Sequence, residues 1–290
     1  MKVYATYNAK GGVGKTSTCV TLAYLAAGDG LRTLIWDLDP QGAAAWIYRV
    51  GMDARACGAR CMASGAFDLA AAVRASDHEN LDLLPVDESL RELDLELEQA
   101  GGDSRRLGGL LSSLSADYDV VFIDAAPALS RVAENVFAAS DALLTPTIPT
   151  PLSLRTLARL LLHLKQRSSR PRVLPFFTMV DRRKALHRQV AEYAEDQGLG
   201  FLRTEIPYSS AVERMSVVRR PLHAFAGGDR AARAYRALWD ELRARMSAQP
   251  ARPERNGKPR EPGDHRDDGG PSRERVAALL AEVRAAAGSR

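Results

Sequence analysis

The chain has 290 residues, of which 46% are hydrophobic and 26% are charged, and its formal net charge is +4. These values are ordinary for a globular protein, and about 250 residues are enough for one α/β domain with a sizeable core. No apolar run approaches the roughly 20 residues that span a bilayer, which excludes a transmembrane helix and leads us to expect a cytoplasmic protein.

The first predicted elements are a strand over Val3–Tyr7, a glycine-rich loop and a helix over Ser17–Ala27. Glycines allow backbone N–H groups to turn toward phosphate oxygens, and a helix N-terminus favours negative charge. We expect Lys15 to reach the β- and γ-phosphates of a nucleotide and Thr16 to offer its hydroxyl to Mg²⁺. The predicted nucleotide-binding residues follow a first lysine, Lys10, and are Gly11, Gly12, Val13, Gly14, Lys15, Thr16 and Ser17.

Two later apolar strands end in carboxylates. The run Leu34–Leu38 contains Asp37 and is followed by Asp39, and the run Val120–Ile123 is followed by Asp124. Buried parallel strands have such sequences and carry functional groups at their carboxyl ends. Carboxylates there can hold the water shell of Mg²⁺ and orient an attacking water, as phosphoryl transfer to water requires. An aspartate that ends a strand is otherwise a helix cap or turn residue, and this alternative stays open for each of the three.

Predicted helices and strands continue to alternate along the rest of the chain. The predicted helices cover 43–50, 67–75, 88–99, 107–114, 152–166, 184–197 and 229–246, and the predicted strands cover 81–85, 120–124, 141–146 and 173–179. Residues 51–65 are predicted to form a loop. This alternation predicts an α/β fold, namely a doubly wound, mainly parallel sheet with helices on both faces, as in P-loop nucleoside triphosphatases.

Five segments make the sequence similar to a known family. They are Lys10–Ser17, Asp37–Gly42, Asn80–Pro85, Tyr118–Asp124 and Thr178–Asp181. Over about residues 1–246, the chain resembles the ParA/MinD group of deviant P-loop ATPases, and within it the ParA (Soj-like) branch. The chain departs from the family after its last strand-ending aspartate, where a cysteine or threonine and two prolines are usual and this sequence has Ala125-Ala126-Pro127-Ala128.

The resemblance implies ATP and Mg²⁺ as cofactors and a role for each motif residue. Lys10 corresponds to the signature lysine that crosses a nucleotide-sandwich dimer to the partner's phosphates, Asp39 to the hydrolytic aspartate, and both join Lys15 as the predicted catalytic residues. Asp37 corresponds to the switch I carboxylate and Asp124 to the Walker B residue. The predicted metal-site residues are Thr16, Asp37, Asp39 and Asp124. The residues that the resemblance implies around the adenine are Met179, Asp181 and Pro207.

Charge is divided unevenly along the predicted domain. Residues 1–154 carry 12 Lys/Arg against 20 Asp/Glu, a net charge of −8, whereas residues 155–249 carry 19 against 9, a net charge of +10. Clustered arginines are typical of contact with the phosphate backbone of nucleic acid without base reading. A solvated, arginine-rich surface is the alternative for any single arginine. The predicted DNA-binding residues are Arg203, Arg219, Arg220, Arg230 and Arg233, and the resemblance supports Arg203 and Arg230.

Composition divides the chain into three parts. We predict a P-loop ATPase domain over residues 1–248 and a flexible linker over 249–271, because almost no apolar side chain occurs in the linker. Residues 272–290 are predicted to form a short helix or tail with an apolar face. This face could dock on a partner, on the domain or on a membrane, and its lack of aromatic residues and lysines makes the membrane the weakest of these interpretations.

We therefore expect an ATP-dependent switch that forms a homodimer with ATP and binds non-specific nucleoid DNA. A cargo-bound partner, ParB-like or an adaptor, is expected to stimulate its slow hydrolysis. The expected location is cytoplasmic and nucleoid-associated, and the cargo, whether a plasmid, a chromosome or a protein organelle, stays open. One alternative is a MinD-like ATPase on a membrane surface.

Another alternative is a metabolic enzyme of the same superfamily, either a nitrogenase-iron-protein-like reductase or an amide-forming synthetase. In such a reductase, an iron–sulfur cluster that bridges two subunits needs two cysteines per subunit in the switch segments. Ala125 and Ala126 stand in the second of these segments, which argues against the reductase.

Overall fold

Seven strands form one sheet in the computed structural model, which describes residues 1–51, 58–85, 88–167, 171–196, 199–247 and residue 281. The strands are β1 (Lys2–Thr6), β2 (Thr33–Leu38), β3 (Arg74–Ala75), β4 (Leu81–Leu84), β5 (Val120–Ala125), β6 (Ala142–Thr147) and β7 (Arg172–Phe177). Their order in the sheet is β3-β4-β2-β5-β1-β6-β7, and all neighbours are parallel except β3 and β4, which are antiparallel.

Helices follow the strands in alternation and pack around the sheet. They are α1 (Lys15–Gly28), α2 (Ala43–Tyr48), α3 (Ala59–Ser64), α4 (Leu69–Ala72), α5 (Leu93–Gln99), α6 (Arg106–Ser112), α7 (Arg131–Ala139), α8 (Pro151–Lys165), α9 (Ala185–Asp196), α10 (Ser210–Val218), α11 (Leu222–Ala226) and α12 (Arg230–Ser247), with a 3₁₀ helix over Glu88–Glu92. The predicted fold class, a mainly parallel sheet wound with helices, is confirmed.

Successive residues of the central strands point into two cores, one on each face of the sheet. In β2, Leu34, Trp36 and Leu38 belong to one core, whereas Ile35 packs in the other together with Trp239 of α12. Every residue of β2 and of β5 is buried. Burial on both faces explains why these strands appear in the sequence as continuous apolar runs.

The predictions for residues 51–75 are wrong in part. The predicted loop over 51–65 contains α3, whose Met62 and Ala63 are buried in a core, and residues 52–57 lie outside the described part of the chain. The predicted helix over 67–75 is limited to the four residues of α4, because the following β3 pairs with β4 at the sheet edge. Such pairing is a tertiary contact that overrides local pattern.

Besides α3, three further helices, α7, α10 and α11, were not predicted from the sequence. The N-cap residues of α7 and α10 are Ser130 and Ser209, whose hydroxyls accept backbone N–H groups of Ala133 and Ala211. Serine before a helix is a recognised start signal, so the sequence did contain evidence for both helices.

The last helix of the sheet-forming region, α12, ends at Ser247. The domain boundary at residue 248 stays a prediction, and the predicted linker over 249–271 and terminal helix over 272–290 lie outside the described residues apart from Ala281. Within the ranges that the structure describes, no helix is long and apolar enough to cross a membrane.

Candidate nucleotide-binding site

The glycine-rich loop leaves the carboxyl end of β1, between the ends of β5 and β6. Gly12 and Gly14 have φ angles of +69° and +87°, which residues with a side chain rarely adopt. A Cβ added at Gly11 or Gly12 would meet no described atom within 4 Å, so the loop leaves open space above its backbone. Gly14 directly precedes α1, whose N–H groups face this space at the helix start. The loop therefore has the form of a phosphate cradle.

Lys15 is the first residue of α1 and is 7% exposed. Burial lowers the pKa of Lys15, while the neighbouring carboxylates of Asp124 and Asp39 act in the opposite direction. Two negative groups thus lie close to a cation whose hydration is restricted, and this brings Lys15 together with two of the predicted metal-site residues.

Asp37 and Asp124 are directly opposite each other on the neighbouring strands β2 and β5, and both are fully buried. Asp124 Oδ1 accepts a hydrogen bond of 3.3 Å from the Thr6 hydroxyl, whereas Oδ2 has no hydrogen-bond partner among the described residues. Burial raises the pKa of both carboxyls, and the charge of Asp39 adds to this effect on Asp124, whereas the hydroxyl of Thr16 opposes it. A buried oxygen without a partner beside a second carboxyl fits a cation.

Asp37 also has the structural role that was left open as an alternative. Its Oδ2 accepts hydrogen bonds from the backbone N–H groups of Ala44 and Ala45, at 3.1 and 3.2 Å, in the first turn of α2. Its Oδ1 accepts the N–H of Asp39 at 3.2 Å. Asp37 therefore joins the nucleotide site to the start of α2, while the partly exposed Asp39 is held by the N–H of Gln41.

Lys10 makes contacts within its own chain. Its Nζ donates to Ser153 Oγ at 3.2 Å at the start of α8, and its backbone N–H donates to Asn8 Oδ1 at 2.9 Å. Asn8 is buried and donates in turn to the carbonyl oxygen of Pro146. Sequence reasoning missed Asn8 and Ser153, although a polar residue between a predicted strand and a glycine-rich loop was a usable signal for Asn8.

The predicted base-side residues lie beside the loop. A Cβ on Gly14 would be 3.6 Å from Thr178 Oγ1, so the segment after β7 adjoins the phosphate cradle. Asp181 and Pro207 line a cavity of about 690 Å³, and Met179, with a φ of +53°, precedes its lining residue Val180. The carboxylate of Asp181 accepts two hydrogen bonds from the guanidinium of Arg183, which lowers the pKa of Asp181.

The five predicted DNA-binding arginines differ in their surroundings. Arg203, Arg220, Arg230 and Arg233 are exposed, and Arg230 also lines the cavity that contains Asp181 and Pro207. Arg219 is partly buried and its guanidinium lies 4.0 Å from the centre of the Trp46 ring. Sequence reasoning missed Trp46, for which no signal beyond its large apolar side chain was present.

Comparison with known proteins agrees with this geometry. Residues 1–173 match the family described as AAA domain. The chain is 30% identical over 253 residues to the sporulation initiation inhibitor protein Soj of Bacillus subtilis. This match covers 84% of this chain and 98% of Soj. The chain is 32% identical over 199 residues to the chromosome partitioning protein ParA of Caulobacter vibrioides, which covers 66% of this chain and 74% of that protein. The chain belongs to the ParA/MinD family of P-loop ATPases.

A solved structure has a similar fold. Cobyrinic acid a,c-diamide synthase from Mycobacterium smegmatis, with bound ADP and magnesium, is 26% identical with a TM-score of 0.71, over 85% of this chain and 96% of the synthase. As a member of the ParA/MinD family, the chain is an ATPase whose cofactors are ATP and Mg²⁺. The predictions of family and cofactors are thus confirmed, and the open cradle and the unpartnered Asp124 oxygen fit both groups.

The buried carboxyl pair of this ATPase predicts a pH-dependent stability. The pKa of both Asp37 and Asp124 is raised in the folded state, so the folded chain binds more protons than the unfolded chain above about pH 4. Without Mg²⁺, the free energy of unfolding should therefore fall as the pH rises from about 4 toward the raised folded-state pKa values. Thermal unfolding at several pH values in EDTA measures this slope.

Asp124→Asn provides the comparison for that measurement. Since asparagine does not titrate, the variant should show a flatter dependence of unfolding temperature on pH, and Mg²⁺ should stabilise it less than the parent. An identical pH slope for the variant and the parent would show that Asp124 is not one of the titrating groups.

Proposed function

We propose that this ParA/MinD-family ATPase is a switch that binds non-specific DNA as an ATP-bound homodimer and positions a cargo. The observation that carries the proposal is the cavity of about 690 Å³, because Arg230 lines it together with Asp181 and Pro207. Arg230, one of the predicted DNA-binding residues, thus borders the predicted adenine site. Binding of a nucleotide there can alter the position of the Arg230 side chain.

In the proposed cycle, Lys15 and the N–H groups of the glycine-rich loop bind the β- and γ-phosphates. Thr16 and Asp124, with Asp37 beside them, hold Mg²⁺, which supplies charge stabilisation when phosphate is transferred. Asp39 keeps its carboxylate at the partly exposed rim and orients the attacking water. A cargo-bound partner, ParB-like or an adaptor, accelerates this step and thereby releases the dimer from DNA in the cytoplasmic nucleoid.

The basic surface supports a DNA partner by its charge and its spacing. Arg230 and Arg233 lie at the start of α12, and Glu241 of the same helix accepts hydrogen bonds from the backbone N–H groups of Arg203 and Thr204, at 2.9 and 3.0 Å. Eleven residues of helix separate Arg230 from Glu241, which corresponds to roughly 16 Å. Arginines at this separation suit several phosphates of one duplex better than a single small anion.

The test is a double charge reversal of Arg203 and Arg230 to glutamate. DNA affinity should fall by roughly a hundredfold or more, since each lost phosphate contact is worth about tenfold, or 1.4 kcal/mol. For the parent, log affinity for a random-sequence duplex should fall by roughly 0.9 per phosphate contact for each log unit of salt. Electrophoretic shift assays with ATP and Mg²⁺, at several salt concentrations, measure both quantities.

A matched control makes the same change in net charge on the acidic part of the chain. Arg60 and Arg105 are exposed residues within 1–154, so reversing both to glutamate should leave DNA affinity within a few-fold of the parent. Equal losses for both double variants would indicate a dependence on net charge alone. Full binding by the Arg203 and Arg230 variant would refute the choice of these two residues.

Two other functions would be favoured by different experimental results. Binding to anionic liposomes instead of DNA would favour the membrane-surface ATPase, whose predicted anchor over 272–290 lies outside the described residues apart from Ala281. ATP turnover that requires a small carboxylic acid and ammonia or glutamine would favour an amide-forming synthetase. The identity of 26% to such a synthase is lower than the 30% and 32% to Soj and ParA.

A further inference from the structure

Trp46 occupies an unusual position on α2, the helix that directly follows the Asp37–Gly42 segment. It is 53% exposed, whereas the other two tryptophans, Trp36 and Trp239, are at most 2% exposed. The guanidinium of Arg219, at the end of α10, covers its ring at 4.0 Å from the ring centre. A cation over the face of an indole is attracted by the ring's charge distribution, so this contact holds the two helices together.

Hydrogen bonds connect the same two helix ends in both directions. Trp46 Nε1 donates to the carbonyl oxygen of Ser216 at 2.8 Å, and Arg49 Nη2 donates to that of Val218 at 3.3 Å. Arg219 Nε donates to the carbonyl oxygen of Trp46 at 3.0 Å. Carbonyl groups in the last turn of a helix lack the partner four residues on, so they can accept from side chains of another helix. The Trp46 carbonyl oxygen accepts from Arg219 in addition to the backbone N–H of Arg49 at 3.2 Å. We call Trp46, Arg49 and Arg219 the α2–α10 clasp.

The opposite end of α2 is attached to the nucleotide site. Asp37 accepts hydrogen bonds from the N–H groups of Ala44 and Ala45 at this end. At the clasp end, the Tyr48 hydroxyl donates to the carbonyl oxygen of Val20 in α1 at 2.9 Å. A helix of six residues is not stable by itself and depends on such contacts. The position of α2 is therefore determined by Asp37 at one end and by the clasp and Tyr48 at the other.

The far end of α10 is attached to the start of α12, which carries Arg230 and Arg233. Ser209, the N-cap of α10, donates to Asp229 Oδ1 at 3.0 Å, and the same oxygen accepts the N–H of Ala231 in α12 at 2.7 Å. Arg230 Nη2 donates to the carbonyl oxygen of Tyr208 at 2.6 Å. A continuous series of contacts thus runs from Asp37 through α2 and α10 to Arg230.

We propose that Trp46 and Arg219 are a positioning pair that connects the Mg²⁺ side of the nucleotide site to α10. Binding of Mg²⁺ beside Asp37, together with ATP on the glycine-rich loop, shifts α2, and the clasp passes this shift to α10 and to Arg230. The last step rests on the proposed DNA-binding function, whereas the first two concern the nucleotide site alone. Arg219 acts here on Trp46 and not on DNA phosphates, which differs from the role expected for it from the sequence.

The first measurement is the quenching of Trp46 fluorescence by acrylamide, without DNA. The Trp46→Phe variant supplies the signal of the two buried tryptophans, which is subtracted. In the parent, a non-hydrolysable ATP analogue with Mg²⁺ should change the quenching constant of Trp46 more than the same analogue with EDTA. In the Arg219→Ala variant this Mg²⁺-dependent difference should shrink, because the guanidinium no longer covers the ring and only the hydrogen bond from Trp46 Nε1 to Ser216 still joins the ring to α10.

The second measurement is the affinity for the same analogue by calorimetry. Arg219→Ala should weaken binding roughly fivefold or more when Mg²⁺ is present and leave the affinity in EDTA unchanged, since a coupling free energy between two sites is typically of this size. A merely structural role of Arg219 would lower both affinities equally. Trp46→Phe, which keeps an aromatic ring under the guanidinium, should retain more of the Mg²⁺ effect than Trp46→Ala.

Arg214→Ala is the matched control, because Arg214 is an exposed arginine of α10 that lies 5.9 Å from the Phe225 ring centre and lies outside the clasp. It should behave as the parent in both measurements. A Trp46 signal that ignores Mg²⁺, or equal affinities of Arg219→Ala and Arg214→Ala with Mg²⁺, would overturn the proposal. DNA binding by the parent is measured separately, so its absence would count against the proposed function and not against the positioning pair.

Discussion

Replacing Lys15 with alanine is expected to weaken ATP binding by roughly a hundredfold or more. Lys15 is the first residue of α1, lies beside Asp124 and Asp39, and is 7% exposed. A hydrogen bond to a charged group contributes about 1.5–3 kcal/mol, and a lysine at this position reaches two phosphates, so the loss should exceed about 3 kcal/mol. Calorimetric titration with ATP and Mg²⁺ measures the change.

Lys2→Ala is the control for the loss of one positive charge. Lys2 begins β1 at its amino end, away from the glycine-rich loop at the carboxyl end, and its Nζ lies 3.8 Å from Asp141, so its removal should leave ATP affinity unchanged. Lys15→Met separates binding from folding, because burial lowers the pKa of Lys15 and an apolar side chain of similar length should keep the fold. Equal ATP affinity for the parent and Lys15→Ala would contradict the site assignment.

The nucleotide site could be predicted because its parts are local in sequence. The residues of the phosphate cradle, Lys10–Ser17, are consecutive, and Asp124 directly follows the apolar run Val120–Ile123 near the end of β5. Parallel strands place their carboxyl ends at one edge of the sheet, so the strand pattern brings these groups together without further information. The same reasoning gave the α/β fold class, since buried strands and alternating helices leave few other arrangements.

Contacts between distant helices could not be predicted in this way. The sequence left open whether Asp37 is a metal-site residue or a helix cap, and the structure shows that it caps α2 while facing Asp124. Arg219 is a predicted DNA-binding residue because arginines cluster around it, and the structure adds that its guanidinium lies on Trp46, which is 173 residues away in the chain. A cluster of arginines in the sequence shows the net charge of that part of the chain. The partner of a single arginine depends instead on tertiary packing.

Lys10 has surroundings that differ from those of Lys15. It is partly exposed, and its Nζ donates at 3.2 Å to the hydroxyl of Ser153, which is also 3.0 Å from the Thr150 hydroxyl. Both neighbours are neutral, so the contact replaces little of the hydration of an ammonium group. A phosphate of a second subunit would be a stronger partner, because it carries a negative charge that a hydroxyl lacks and so adds ion-pair attraction to the hydrogen bond.

Lys10→Ala should therefore abolish the stable ATP-dependent dimer while the monomer still binds nucleotide through Lys15. Light scattering after size exclusion, with ATP and Mg²⁺ in an Asp39→Ala background that blocks turnover, should give a monomer mass for this variant and a dimer mass for the background alone. Ser153→Ala is the matched control, because it removes the in-chain partner of Lys10 and keeps the lysine. It should dimerise at least as well as the background, since the ammonium then leaves no hydrogen bond behind when it turns to the other subunit. An ATP-dependent dimer of unchanged stability in Lys10→Ala would show that the lysine does not act across the interface.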